Sequence, residues 1–207
     1  MGITALIVFI ASMGMLLVRN VTHTVWLLAV EGVALSVMVF LSRPITLEQT
    51  VIGLVTIFIK AGVIPFTMNR VTLTWPQAYR TDRPLPWWGY LAGIALVLSV
   101  THIIHLLSPV GIIHHRDLFF YGLASIYLGL LQMISRRHVL SQVGSLIAVE
   151  NALVILAASV AGQLPMFMEF GMLIDLLVAV VILSWISRLV HHQFNTTDVT
   201  VMRFLRR

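Results

Sequence analysis

Glu31, Lys60, Glu150, Glu169 and Asp175 each stand in a stretch that is otherwise apolar. Placing an ionised side chain in hydrocarbon costs about 2.5 to 3.5 kcal/mol on insertion scales, so each needs a partner, a water-lined cavity or a neutral form. A low dielectric disfavours a charged carboxylate, and a neighbouring ammonium favours it. Carboxyl groups held in this way can take up and release a proton as their partners shift. Residue type and setting therefore point to relay of protons or other cations. The structural alternative is an ion pair or interhelical hydrogen bond that fixes helix register. Glu169 is nearer a span end and six residues from Asp175, off its helical face, and such a side chain can also reach back to the interface.

Depth follows from the 1.5 Å rise of a helix. Glu31 lies about seven residues inside its span and Lys60 about eight, so both sit roughly 10 to 12 Å deep and are open to pairing with each other. Glu150 and Asp175 fall close to the midplane. Glu31 and Glu150 are each the single carboxylate of a long apolar run.

Other chemistries find little support. Cysteine is absent, which excludes disulfides and thiolate-held metal centres in this chain. No nucleophile elbow, phosphate-cradling glycine loop or H-E-x-x-H motif occurs. No catalytic residue and no cofactor are expected. His102, His105, His114 and His115 form a group with only Asp117 as a nearby carboxylate, an incomplete set for a metal that also suits an interface. His191 and His192 read as solvated. The formal net charge of +5 comes from basic residues in connections between apolar runs, so it signals topology and not nucleic-acid binding.

The elements that must position these groups are membrane spans. Of 207 residues, 59% are hydrophobic and 10% charged, more apolar surface than a soluble domain of this length can hide. Hydropathy predicts an all-α, polytopic membrane bundle of about seven spans, 2–18, 24–41, 50–68, 88–107, 118–134, 140–161 and 165–187. The start, without a positive residue before its apolar run, is expected to be a retained span. With seven spans, Arg43 and Arg116 fall on one side; Arg19, Arg70, Arg80, Arg83, Arg136, Arg137, Arg188, Arg203, Arg206 and Arg207 fall on the other. That bias predicts an N-terminus outside and a C-terminus in the cytoplasm, the membrane expected being a bacterial or archaeal plasma (inner) membrane. Trp75, Trp87, Trp88 and Tyr90 read as belt anchors at the cytoplasmic headgroups, with partner docking by "WPQAYRTDRPLPWW" as a second use. Pro65 and Pro165 read as lying near span ends, where a helix stops anyway.

An internal repeat organises the spans. "LLAVEGVALSVM" (27–38) aligns with "LIAVENALVILA" (146–157), sharing Leu, Ala, Val and the single Glu in register. Each copy is the second of three spans and follows a short basic connection. The inferred division is a three-helix unit over 1–68, a loop, linking span and outer loop over 69–117, a parallel three-helix unit over 118–187 and a cytoplasmic tail over 188–207.

The C-terminal third carries a resemblance. "AVENALVILAAS", "MFMEFGMLIDLLVAVVIL" and the tail "FNTTDVTVMRFL" resemble the hydrogenase-4 component E family, best over 140–205 and diffusely over 1–110. That family is related to the K subunit of respiratory complex I and the C subunit of multisubunit cation/proton antiporters. Glu150, Asn151, Glu169, Gly171 and Asp175 match its motifs, whereas Ala152 and Met168 replace a Gly and a Val. The resemblance implies a non-catalytic membrane subunit of a group 4 NiFe hydrogenase or formate hydrogenlyase-like complex. Its partners would be other membrane subunits, a cytoplasmic redox arm and lipid. Glu150, with Glu169 or Asp175, would then hold the positions of the K subunit's buried carboxylates. A stand-alone secondary ion transporter and a purely structural scaffold are the alternatives.

Overall fold

The chain folds into an all-α bundle of membrane type. The computed structural model describes residues 1–42, 47–73, 81–82, 86–107 and 115–161, with Val181 and Trp185; the seventh expected span and the tail lie otherwise outside the described residues. The helices are α1 (Gly2–Leu17), α2 (Val21–Ser42), α3 (Leu47–Thr56) running through a π-helical segment (Ile57–Val63) into α4 (Ile64–Leu73), α5 (Trp87–Leu107), α6 (Arg116–Ser135) and α7 (Val139–Ala161). Among the described residues, five helical stretches are long and apolar enough to cross a membrane, and the shorter α1 is apolar throughout.

The outer surface is greasy and the inside carries the polar atoms. Ile3, Phe58, Leu96 and Ile134 point outward at 77, 69, 65 and 85% exposure, whereas Ser12, Glu31, Ser36 and Thr72 are fully enclosed. A protein solvated by hydrocarbon requires this arrangement, because lipid accepts the apolar face and cannot satisfy the polar one. Some buried hydroxyls are satisfied within their own helix: Ser36, Thr72 and Ser145 each donate to the carbonyl four residues back.

Two hairpins, α1–α2 and α6–α7, face each other and run in the same direction. Their turns lie at one end, where the Arg136 guanidinium reaches the carbonyls at the end of α1. At the opposite end Ala5, Val8, Leu35, Met38, Leu118 and Ile155 form one apolar layer. A second layer of Met15, Val25, Leu28, Met68, Val143 and Ile147 lies towards the turns. The α6–α7 contact is closest at glycines: a Cβ on Gly122 would meet Leu156 N at 2.9 Å, and one on Gly129 would meet Val149 Cγ2 at 2.5 Å. Without a hydrophobic drive between helices in lipid, such close approach of backbones is what holds them together.

The third span departs from expectation. It runs continuously from Leu47 to Leu73 and not over 50–68, and Pro65 stands well inside it. Proline offers no N–H to the helical ladder and its ring crowds the preceding turn. The ladder widens just before it, where the Ile64 N–H donates to Ile59 O, five residues back. The π segment thus absorbs Pro65, and the reading of Pro65 as an end marker is corrected. The fourth span, α5, lies at the edge against α6, with Val97 joining Leu16, Ala124 and Leu128.

Candidate functional site

Between the two apolar layers lies one polar layer, built from three of the five predicted residues. Glu31 of α2 and Lys60 of the π segment are buried, as is Asn151 of α7, while the Glu150 side chain keeps 19% exposure. Lys60 Nζ lies 2.8 Å from Glu150 Oε1 and donates to Asn151 Oδ1 at 2.9 Å. Asn151 Nδ2 donates to Glu31 Oε2 at 3.1 Å, and Ser12 Oγ of α1 donates to Glu31 Oε1 at 2.7 Å. A single chain of hydrogen bonds therefore runs Ser12, Glu31, Asn151, Lys60, Glu150 across four elements.

A direct pairing of Glu31 with Lys60, which the sequence left open, does not form. The ammonium bonds Glu150 and Asn151, and the amide stands between it and Glu31. Depth brings all three charged groups to one layer, and the interposed Asn151 amide decides which carboxylate the ammonium meets. Measured to Leu73, Lys60 lies about 13 residues or roughly 20 Å from the helix end, well beyond the level first assigned to it. Glu31 and Glu150 stand ten and eleven residues into α2 and α7, so both reach roughly 15 Å and meet in the middle of the bundle. The two carboxylates that align in sequence thus share one site.

Local sequence explains why the groups meet. Gly32, beside Glu31, lets α2 rest on the π segment: a Cβ there would lie 2.8 Å from the Lys60 carbonyl carbon. The π turn presents Lys60 at that contact. Ser12 is held by Gln132 of α6, whose Nε2 donates to Ser12 O at 2.6 Å. One acidic oxygen in the layer, Glu150 Oε2, is buried and accepts no hydrogen bond among the described residues.

Asn151 enters the sequence reading only as part of a matched motif, and Ser12 and Gln132 not at all. A lone serine or glutamine in an apolar helix carries no periodic signal. A second buried charge pair was also missed, at the end bearing the hairpin turns. Asp82 Oδ2 pairs with Arg136 Nη1 at 3.5 Å, and Asp82 Oδ1 accepts the backbone N–H groups of Arg137 and His138 at the start of α7. Arg136, expected only as a topology signal, closes the α1 terminus through Leu16 O and Val18 O, and also reaches Met15 O.

Glu169 and Asp175 lie outside the described residues, as do His114, His191, His192 and Trp75. His105 packs edge-on against Phe120 with ring centroids 5.9 Å apart. His115 precedes α6, and its N–H donates to Ser159 O. Among the described residues no group of three or more His, Cys, Asp or Glu comes together in a way that could hold a metal.

Comparison with known proteins adds one sequence relative. The chain is similar to an uncharacterized protein of Mycobacterium tuberculosis, 25% identical over 195 residues that cover 91% of this chain and 87% of that protein. No family model matches the chain, and no solved structure matches it.

Proposed function

We propose that this protein is a non-catalytic membrane subunit of a respiratory-type redox complex, similar to the hydrogenase-4 component E family. Its buried carboxylates take part in moving protons or Na⁺ across the membrane. The observation that carries this reading is the layer of Glu31, Asn151, Lys60 and Glu150, two carboxylates and an ammonium bonded in sequence at mid-depth of a membrane bundle. Intramembrane ionisable residues at such depth belong to ion pathways more often than to packing. Glu169 and Asp175 extend the same pathway on the resemblance of their segment to the family's motifs.

The chemistry of the layer favours the proton over Na⁺. Lys60 Nζ occupies the point between Glu150 Oε1 and Asn151 Oδ1, at 2.8 and 2.9 Å, where a bound cation would have to sit. Sodium would need that ammonium displaced, whereas a proton needs only a free carboxylate oxygen. In this reading the hairpin turns and Asp82 face the cytoplasm, where a redox arm docks, and the N-terminus lies outside.

Affinity purification of the tagged chain from native membranes tests the assignment. A NiFe or iron–sulfur subunit is expected in the same particle, and Glu150→Gln is expected to retain assembly while losing ion coupling. Ion transport by the purified chain alone in liposomes would establish a stand-alone transporter. Full coupling in the Gln variant would reduce the protein to a scaffold.

A further inference from the structure

The two carboxylates occupy aligned positions in sequence, yet their surroundings differ in kind. Glu31 is fully buried, and both its oxygens accept a hydrogen bond, one from Ser12 Oγ at 2.7 Å and one from Asn151 Nδ2 at 3.1 Å. Neither partner offers a proton path among the described residues. A serine hydroxyl relays a proton only if another group donates to it, and among the described residues nothing donates to Ser12 Oγ, which is itself enclosed. A carboxamide carries no proton that it exchanges as an acid, so Asn151 transmits orientation and charge but not H⁺. Glu150 is the opposite case. Oε1 is engaged by Lys60; Oε2, itself buried, has no donor among the described residues and so keeps a lone pair free for a proton, and the side chain as a whole is the most exposed member of the layer.

We infer that Glu31 is a positioning residue and not a second relay station: it orients the Asn151 amide, which in turn fixes Lys60 against Glu150, where the proton is exchanged. This rests on the proposed ion-transfer role. Seated in this way, the amide must present Oδ1 to Lys60, because Nδ2 is committed to Glu31. A flipped amide would set Nδ2 against the ammonium, donor against donor, and loosen the Lys60–Glu150 pair. In the step itself, a hydronium ion entering along the proposed pathway gives up a proton: its O–H bond breaks, an O–H bond forms at Glu150 Oε2, and neutral water is left. The carboxylate becomes a neutral acid, and Lys60 stays protonated, donating to Oε1 as to a carbonyl. Loss of the proton reverses each change, and Glu31 keeps one protonation state throughout.

Infrared difference spectroscopy of the full-length chain in lipid nanodiscs, driven by pH steps, tests this division. The expected wild-type spectrum contains a protonated-carboxyl stretching band that Glu150→Gln abolishes. Glu31→Gln retains that band at its wild-type frequency, because the Gln carbonyl still accepts the Asn151 N–H. Glu31→Leu and Asn151→Leu keep the band but shift its frequency by a common amount, which a purely structural role for Glu31 would not produce. Circular dichroism confirms that each variant is folded, and Glu31→Gln carries the test if the Leu variants are not. Loss of the band in Glu31→Gln with retention in Glu150→Gln would overturn the division and leave ion transfer standing. A spectrum to which neither carboxylate contributes would overturn both.

Discussion

Lys60 is the residue on which the polar layer depends, because it is the one cation among two buried carboxylates. Replacing it with Met leaves Glu150 and Glu31 in one layer without a cation to compensate them. Breaking a buried pair from one side costs about 3 to 5 kcal/mol, so Lys60→Met is expected to lower the thermal midpoint sharply and to abolish coupling. Removing both members is far gentler, since an apolar pair of similar volume matches or exceeds the stability of a buried ion pair. Lys60→Met with Glu150→Met is therefore expected to regain most of the stability but none of the coupling, measured by thermal unfolding in detergent and by ion transport of the assembled complex. At this scale the sequence was informative about charge alone. A carboxylate in an apolar run is conspicuous, but Ser12 and Asn151 look like ordinary tolerated polar residues until the neighbours on other helices are known.

The element that brings Lys60 to its partners is the π segment, together with the glycine that faces it. Pro65 cannot close an α-helical bond to the residue four before it, and the widened turn ahead of it carries Lys60. On the other side of the contact, any side chain at position 32 meets backbone and not a flexible tip. Gly32→Val is accordingly expected to push α2 away from Lys60. Overpacking of this kind costs about 1 to 3 kcal/mol, so a lower thermal midpoint and faster hydrogen exchange along Ile57–Val63 should accompany it. An unchanged midpoint would show that the two helices do not touch there. Hydropathy located the third span but placed its end near Pro65, because a proline inside an apolar run looks the same whether a helix stops at it or widens around it.

Across the whole molecule, a buried acid ties three chain segments together at one end of the bundle. Asp82 holds Arg136 and the start of α7, while its own N–H donates to Arg19 O in the α1–α2 turn. Asp82→Ala leaves the Arg136 guanidinium with the α1 carbonyls but no counter-charge and frees the N–H groups of Arg137 and His138, and a loss of about 3 kcal/mol is expected, with protease sensitivity appearing first at the two hairpin turns. The native chain has no cysteine, which makes the facing of α2 and α7 simple to check. A Cβ at Gly144 would stand 3.5 Å from Thr24 Cγ2, so the pair Thr24→Cys and Gly144→Cys is expected to cross-link under mild oxidation, read as a gel shift after cleavage between them. Single cysteines at Arg137 and Asp117 should react with an impermeant maleimide from opposite faces of the membrane. Labelling of Arg137 only from the cytoplasmic face would establish the orientation proposed above.

The residue order by itself determined that this is a helical membrane protein and which residues carry charge within it. Both properties are local: hydrocarbon selects for length and apolarity along one segment, and an ionisable group among Leu and Val is visible without its neighbours. The aligned runs around Glu31 and Glu150 further marked two places that resemble each other. Only the tertiary structure decided what each charge meets. Lys60 reaches this layer because Pro65 sits inside the span and the turn before it widens, Gly32 lets α2 close on that turn, and Lys60 meets Glu150 and not Glu31 because Asn151 takes the position between Lys60 and Glu31. These are relations between helices distant in sequence, set by packing geometry in three dimensions, and hydropathy along a single helix does not contain them.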